Sequence, residues 1–316
     1  VDANGRVKHL YIDEDVIKRS VHAKRTCTDC HFDAIEIPHR KTPQKVHCAR
    51  CHYRGNPDGA PQSDKYLEYN RSVHGKKIVE GTTKKAPLCQ DCHGDHEIRH
   101  TKDPLSQTAH LNVAKTCGKC HIEIYAVYMN SIHGRSTYEK KNPDAPDCTG
   151  CHGEHSVLSP RDPESSVYPT GVVKTCAHCH AEVGIVGKYG IEVDQVATYE
   201  DSFHGIGIKY GLKTAASCAS CHGTHNILPH DNPHSTVYIE NIPRTCGKCH
   251  PGANINYARG KIHIDPSKKS AGIVFYVAFF FKWFTILILL GLITHIGLDL
   301  YRRSNQWREL KMKQRM

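Results

Sequence analysis

The sequence predicts a mainly α fold with extensive coil, in which short helices and loops wrap round a stack of bulky cofactors, followed by one C-terminal transmembrane helix. The chain has 316 residues but only 7 Phe, 2 Trp and 3 Met, and much of its apolar content lies in one C-terminal run. The remainder is too polar to build an ordinary side-chain core. We therefore expect a cofactor to fill the interior.

Every one of the 16 cysteines belongs to a CxxC pair, and a His follows each of the eight pairs. The cysteines are Cys27, Cys30, Cys48, Cys51, Cys89, Cys92, Cys117, Cys120, Cys148, Cys151, Cys176, Cys179, Cys218, Cys221, Cys246 and Cys249. The histidines that follow are His31, His52, His93, His121, His152, His180, His222 and His250. CxxCH is the attachment motif of c-type haem, in which two thiols bond to the vinyl groups and the His binds the iron from the proximal side. The pattern predicts eight covalently bound haem c groups.

Two other uses of CxxC pairs explain this pattern less well. A disulfide framework or a redox-active CxxC does not require His after every pair, and zinc sites also leave that His unexplained. Covalent haem attachment implies an exported protein, so we expect Val1 to follow a removed signal peptide.

The formal net charge of +10 does not indicate a nucleic-acid partner. Each haem carries two propionates, and eight haems would bring the total to about −6. The basic residues are therefore expected to be partners of propionates and solvated surface groups. We predict no nucleic-acid binding.

The haem motifs belong to an internal repeat with units at 20–52, 72–121, 131–180 and 202–250. In the last three units, a Ser-x-His-Gly element precedes CxxCHGxH, and the second CxxCH begins 28 residues after the first. Each unit thus carries two haem motifs and two extra histidines. The first unit is compressed: its second extra histidine is displaced to His39 or His47, and we favour His39 because His47 abuts Cys48.

The extra histidines are candidates for the distal iron ligand, since bis-imidazole ligation gives a six-coordinate electron-transfer haem. The alternative is a surface or hydrogen-bonded His. The candidates are His22, His39, His74, His96, His133, His155, His204, His225 and His263, one of which is spare. Either His263 binds the eighth haem and frees His22, or it serves something at the membrane surface. His155 is too close to His152 to cross to the far side of the same haem, so it should reach a neighbouring iron.

The Ser-x-His-Gly histidines are expected on the last turn of a helix. The segments before them have helical apolar spacing, and the Gly is typical of a left-handed C-terminal cap. Seven histidines lack this register and are expected mostly at the surface. They are His9, His47, His100, His110, His178, His230 and His234.

Residues 271–300 are almost all apolar and are long enough to span a bilayer as one helix. The haem domain is assigned to residues 1–265. The tail 301–316 carries six basic residues and one acidic residue, which predicts a cytoplasmic C-terminus and a periplasmic haem domain on the inner membrane. Lys282, His295 and Asp299 are costly in lipid. Lys282 either snorkels to the headgroups or contacts a quinone. His295 and Asp299 contact a partner helix, bind a b-type haem or quinone shared with a partner subunit, or form an inert interfacial pair.

The SxHG, CxxCHGxH and KTCGKCH elements over residues 20–265 resemble the multihaem cytochromes c of the doubled-CxxCH, cytochrome c3-like kind. The tethered form resembles cytochrome subunits that sit beside a membrane-embedded quinone-reactive or b-type subunit. This resemblance implies a non-enzymatic electron carrier between the quinone pool and soluble or outer-membrane cytochromes in anaerobic respiration. The shortened first unit and the single membrane helix depart from the family. The alternatives are a multihaem reductase of a small nitrogen or sulfur oxyanion with one open haem, and a haem-bearing scaffold.

Overall fold

The computed structural model describes residues 12–36, 43–57, 60, 64–81, 86–258 and 263–314. Within these ranges the secondary structure is entirely helical, and no strand occurs. The chain divides into two units, Val1–Gly260 and Lys261–Met316. The first contains all the haem motifs, and the second contains the apolar helix.

The first unit is built from short helices joined by loops and turns. The α-helices are Glu14–Lys18, Cys27–Cys30, Lys65–Arg71, Val73–Val79, Cys89–His93, His110–Gly118, Ile122–Met129, Ile132–Tyr138, Cys148–His152, Val172–His180, Val183–Val186, Gln195–Glu200, Phe203–Lys209, Cys218–His222, Ile242–Gly247 and Ile255–Ala258. Short 3-10 helices are Phe32–Ala34, Cys48–Arg50 and Gly187–Tyr189. The predicted helical class with extensive coil is confirmed for the described residues.

Few apolar side chains are buried. In the described residues the buried apolar side chains are Ala109, Val113, Ala114, Tyr128, Ala145, Tyr168, Val173, Val186, Tyr199 and Ile208. A small cluster of Val173, Tyr199 and Ile208 is the largest apolar contact among them. A close-packed domain of this size buries far more apolar surface than that. Side chains therefore supply little of the packing energy of this unit, as the composition predicts.

Hydrogen-bonded serines and tyrosines recur in the same position of successive units. The buried Ser72 and Ser131 both donate to the carbonyl oxygen of the tyrosine three residues earlier, at 2.6 Å. The tyrosine hydroxyls donate in turn to a carbonyl just ahead of the next CxxCH: Tyr69 to Pro87, Tyr128 to Pro146 and Tyr199 to Ala216. These bonds fix the start of each first CxxCH helix relative to the helix pair before it. Buried hydrogen bonds thus contribute part of the stability that an apolar core supplies in other domains.

The Ser-x-His-Gly element lies at the start of a helix, and the predicted place on a last turn is wrong. The helix Ile122–Met129 ends before Ser131, which caps a new helix, Ile132–Tyr138, by accepting a hydrogen bond from the Gly134 N–H at 3.0 Å. Gly134 is helical, so it is not a left-handed cap. A Cβ there would overlap the Tyr128 carbonyl oxygen. Glycine is present because two backbones pass too closely for a side chain.

The second unit contains one long apolar helix, Ile273–Lys313, of 41 residues, preceded by the 3-10 helix Lys269–Ala271. Its apolar window has a mean hydropathy of 2.3 and none of that window is buried. At 1.5 Å per residue the helix is about 60 Å long, more than the roughly 30 Å of bilayer hydrocarbon. By length and composition it is a candidate membrane span. The helix extends through most of the segment that was predicted as a separate tail, because nothing in residues 301–313 breaks it.

Candidate metal centres along the repeat

The first CxxCH of each of the last three units forms a five-residue helix, at Cys89–His93, Cys148–His152 and Cys218–His222. Cysteines three residues apart share one side of such a helix, and the His ends it. The following glycines, Gly94, Gly153 and Gly223, have φ of 88°, 77° and 83°. Only glycine adopts this conformation readily, and it turns the chain so that the GxH histidine leaves in a new direction. The Gly of CxxCHG is a signal that the sequence contained and that our reasoning did not use.

The second CxxCH motif of each of the last three units lies in a different helical context from the first. Cys117 and Cys246 lie near the C-terminal ends of the helices His110–Gly118 and Ile242–Gly247, and Cys176 lies in the middle of the helix Val172–His180. In the compressed first unit the two motifs lie on the short helices Cys27–Cys30 and Cys48–Arg50. None of the sixteen cysteines forms a disulfide bond. Within the described residues, no three His, Cys, Asp or Glu side chains gather into a group that could hold a metal ion, so the tetrahedral arrangement of a zinc site is not formed there.

The extra histidines face the CxxCH histidines in pairs. The ring centroids are 6.0 Å apart for His22 and His52, 6.0 Å for His31 and His96, 6.2 Å for His74 and His121, 5.8 Å for His93 and His155, 6.2 Å for His133 and His180, 6.0 Å for His152 and His225, and 6.0 Å for His204 and His250. Seven of the eight CxxCH histidines are thus matched with a histidine that the sequence nominated as a distal ligand.

This separation is what a single metal ion between two imidazoles requires. A metal lies about 2.0 Å from a ligating imidazole nitrogen, and the nitrogen is ~1.1 Å from the ring centre. Two rings on opposite sides of one iron would therefore have centroids roughly 6.2 Å apart. Direct packing of two rings tolerates a wider range, from about 4.5 to 7 Å. The seven distances fall within a much narrower range, 5.8 to 6.2 Å.

The pairs follow two rules. The Ser-x-His histidines, His22, His74, His133 and His204, face the second CxxCH histidine of their own unit. The GxH histidines, His96, His155 and His225, face the first CxxCH histidine of the preceding unit. Each unit therefore contributes one imidazole to the unit before it. No property of the sequence indicated this direction.

The remaining candidates are placed as follows. His39 lies outside the described residues. His263 is exposed and belongs to the second unit, Lys261–Met316. His222, the eighth CxxCH histidine, ends its helix in the same position as His93 and His152 do in theirs.

Burial lowers the pKa of many of the paired imidazoles. It is the first cause of a lowered pKa at eight of them and brings the pKa of His133 to about 4. The other seven are His22, His74, His93, His152, His155, His180 and His225. The Nδ1 atoms of His31 and His155 are buried without a hydrogen-bond partner. A neutral imidazole with an available lone pair is the form that binds a metal.

The eight motifs form one continuous series of neighbours. The thiols of Cys48 and Cys89, of Cys117 and Cys148, and of Cys176 and Cys218 are close enough to shift each other's pKa. At the alternate steps one thiol adds to burial in raising the pKa of the other, for Cys30 beside Cys51, Cys92 beside Cys117, Cys151 beside Cys179 and Cys221 beside Cys246. Every motif is thus adjacent to the next along the chain. Groups attached at these cysteines would also be adjacent.

Most histidines without repeat register are exposed, as predicted: His47, His100, His178, His230 and His234. His9 lies outside the described residues. His110 is the exception, because its Nδ1 lies 3.1 Å from an oxygen of the buried Asp147 and its Nε2 is buried without a partner. This contact joins the second unit to the third. The expectation of a surface His was wrong here because the partner is 37 residues away.

In the apolar helix, Lys282, His295 and Asp299 are placed along one continuous element. Asp299 forms ion pairs with Arg302 at 3.2 Å and Arg303 at 2.8 Å. In the described chain no hydrogen bond or ion pair joins His295 to Asp299. The arginines one turn further along take the carboxylate, so it does not act as the hydrogen-bond partner of His295 in this structure.

Comparison with family models, curated proteins and solved structures found no match to this chain.

Proposed function

We propose that the chain is a membrane-tethered electron carrier that holds eight c-type haems. The observation that supports this best is the recurrence of seven imidazole pairs at 5.8 to 6.2 Å along a series of eight adjacent CxxCH motifs. A repeated pair of imidazoles at this spacing suits a six-coordinate iron. A metal cluster, a disulfide framework and a hydrolytic site each require a different arrangement.

The types and spacing of the residues in each motif are those that a c-type haem would need. Two thiols and a proximal imidazole are within one short helix, and a second neutral imidazole faces the first at the distance of one iron. Bound haem iron would supply reversible one-electron chemistry. The protein would hold the ligands, shield them partly from water and tune the potential through ligand type and burial.

The order of the CxxCH motifs along the chain would set the order in which neighbouring haems exchange electrons. Because the CxxCH motifs are neighbours from Cys30 to Cys246, electrons would pass from unit to unit along the chain without a branch. With both axial positions filled by imidazole, an iron has no position left for a substrate. We therefore favour a carrier, which is not an enzyme by itself, over a reductase of a small oxyanion.

The apolar helix would anchor this carrier in the inner membrane with the haem unit in the periplasm. This orientation rests on the six basic residues after position 300. One helix does not enclose a quinone, so a quinone-reactive or b-type membrane subunit would exchange electrons with the haems. Lys282 and His295 are exposed along the helix and available to that subunit.

Intact mass and spectroscopy test the proposal together. The purified chain should carry eight covalently bound haems, and its ferric form should be entirely low-spin. The ferrous form should not bind CO stoichiometrically. A chain without haem contradicts the proposal altogether, whereas a high-spin signal with stoichiometric CO binding would favour the reductase.

A further inference from the structure

Successive units of the repeat are joined by the same backbone hydrogen bond. In each case the N–H of the residue between Ser and His donates to a carbonyl of the next unit. The bonds run from Val21 to Ile98 at 2.8 Å, from Val73 to Val157 at 2.9 Å, and from Ile132 to Ile227 at 2.8 Å. All three acceptors are β-branched aliphatic residues. The junction therefore pairs a backbone N–H donor of one unit with the carbonyl of a β-branched residue of the next.

Each of these acceptors belongs to a His-x-Ile or His-x-Val segment. The histidines of the segments are His96, His155 and His225, and each faces the first CxxCH histidine of the preceding unit. The backbone bond and the imidazole pair are thus two parts of one junction. A segment that accepts this backbone hydrogen bond therefore also places its histidine opposite a CxxCH histidine of the neighbouring unit.

The fourth unit presents the donor side of this junction at its surface. Phe203 occupies the position of Val73 and Ile132, and its side chain is 94% exposed. Its N–H donates no hydrogen bond within the described chain. An aromatic side chain with this exposure is costly in water and typical of a surface that another molecule covers.

The helix Phe203–Lys209 extends this apolar surface. Phe203, Ile206 and Tyr210 follow one another at helical spacing, and Ile206 and Tyr210 are 42% and 83% exposed. We call the surface formed by Phe203, Ile206 and Tyr210 the terminal face.

The equivalents of Ile206 and Tyr210 in the second unit are charged, Lys76 and Glu80. Lys76 Nζ lies 4.0 Å from the Asp162 carboxylate of the third unit, so this position faces the following unit. In the third unit the corresponding residues are Arg135 and Glu139. These two positions carry apolar side chains only in the fourth unit, which is the last unit of the repeat. A partner of the terminal face should therefore present apolar side chains.

We propose that the terminal face docks a haem-binding unit of a different multihaem cytochrome. An extended His-x-Ile or His-x-Val segment of that partner would accept the Phe203 N–H bond and pack its aliphatic side chain against Phe203 and Ile206. The interface would continue the junction that already joins the units of this chain. A second copy is less suitable, because the three His-x-Ile or His-x-Val segments that follow a CxxCHG motif are already used inside this chain. This inference rests on the proposed function and makes the fourth unit the site of electron exchange.

Site-specific photo-crosslinking on the full-length chain in its native membrane tests the inference. Phe203 is replaced by p-benzoylphenylalanine, and Leu105, which is 72% exposed in the second unit, is replaced in the same way as the matched control. We expect a cross-link from position 203, and none from position 105, to a haem-staining polypeptide. Peptide mapping should place the cross-link at an Ile or Val two residues after a His.

An apolar-to-charged variant gives a second measurement. Ile206→Lys should lower the cross-linking yield from position 203 by roughly tenfold, because a charge would be desolvated at the centre of the contact. Haem content of the same sample is the check on the proposed function: without eight haems, that proposal fails first. With eight haems present, a cross-link to lipid, to a second copy or to a polypeptide without haem overturns the docking inference alone.

Discussion

Gly134 should be one of the residues least tolerant of substitution in the chain. An ideal Cβ at this position would lie 2.8 Å from the carbonyl carbon of Tyr128 and 2.9 Å from the Cα of Met129, besides overlapping the Tyr128 carbonyl oxygen. Carbon atoms in favourable contact are about 3.5 to 4.0 Å apart, so the two backbones must separate by roughly 0.8 Å. Both neighbours are backbone atoms, and no side-chain rotation relieves the overlap.

The expected cost of Gly134→Ala follows from two opposing effects. Overpacking of this kind costs about 1 to 3 kcal/mol, whereas Ala gains about 1 kcal/mol over Gly inside a helix. We expect a net loss of up to about 2 kcal/mol. The displacement would also move His133, which precedes Gly134 and faces His180 at 6.2 Å.

The assay combines urea unfolding of the detergent-solubilised full chain with a redox titration. Gly134→Ala should lower the unfolding midpoint and shift the potential of one haem. Gly187→Ala is the matched control, because nothing lies within 4 Å of a Cβ there and its φ is negative. It should be neutral or slightly stabilising. Wild-type stability and potentials in Gly134→Ala, or equal losses in both variants, would refute the argument from backbone crowding.

Three further predictions concern the same junctions. His155→Met should leave eight covalent haems but raise one potential, because Met replaces the imidazole that faces His93 at 5.8 Å, and a redox titration measures this. Ser131→Ala should lower the free energy of unfolding by about 1 kcal/mol through loss of the helix cap, as measured by urea unfolding. Tyr128→Phe should cost about 1 to 2 kcal/mol in the same assay, because the Pro146 carbonyl loses the hydroxyl that donates to it at 2.6 Å.

Two of these variants, His155→Met and Tyr128→Phe, have a control on the surface. His178→Met alters an exposed His outside the pairs, so an equal change in potential would contradict the ligand assignment of His155. Tyr210→Phe alters a hydroxyl on a ring that is 83% exposed and should leave stability unchanged. A loss at Tyr210 as large as that at Tyr128 would show that the buried hydrogen bond is not the cause.

The sequence was sufficient for everything that depends on local spacing. The CxxCH motifs, the helical class, the apolar helix and the candidate histidines follow from residues a few positions apart. The pairing of His155 with His93 did not follow, because it joins residues of different units and depends on the path of the loop between them. The His110 contact with Asp147 is of the same kind. Long-range contacts of single residues leave no periodic trace in a sequence.

The error at Gly134 has a specific physical cause. Glycine is favoured both where φ is positive and where a second backbone comes too close for a Cβ, and the sequence alone does not distinguish the two. The apolar spacing before Ser131 favoured the first interpretation. Ser131 three residues before Gly134 was equally a capping signal for a new helix. The Tyr-x-x-Ser-x-His-Gly pattern, which spans the close approach, would have favoured the second.

The contribution of one imidazole by each unit to its predecessor limits how such a chain can change length. Removing part of a unit would strip a ligand from a neighbour that is otherwise intact. Removing or inserting a whole unit would restore the same donor and acceptor at every boundary, since the junction of Val73 with Val157 is equivalent to that of Ile132 with Ile227. The number of CxxCH motifs in such a chain can therefore vary only in whole steps of two.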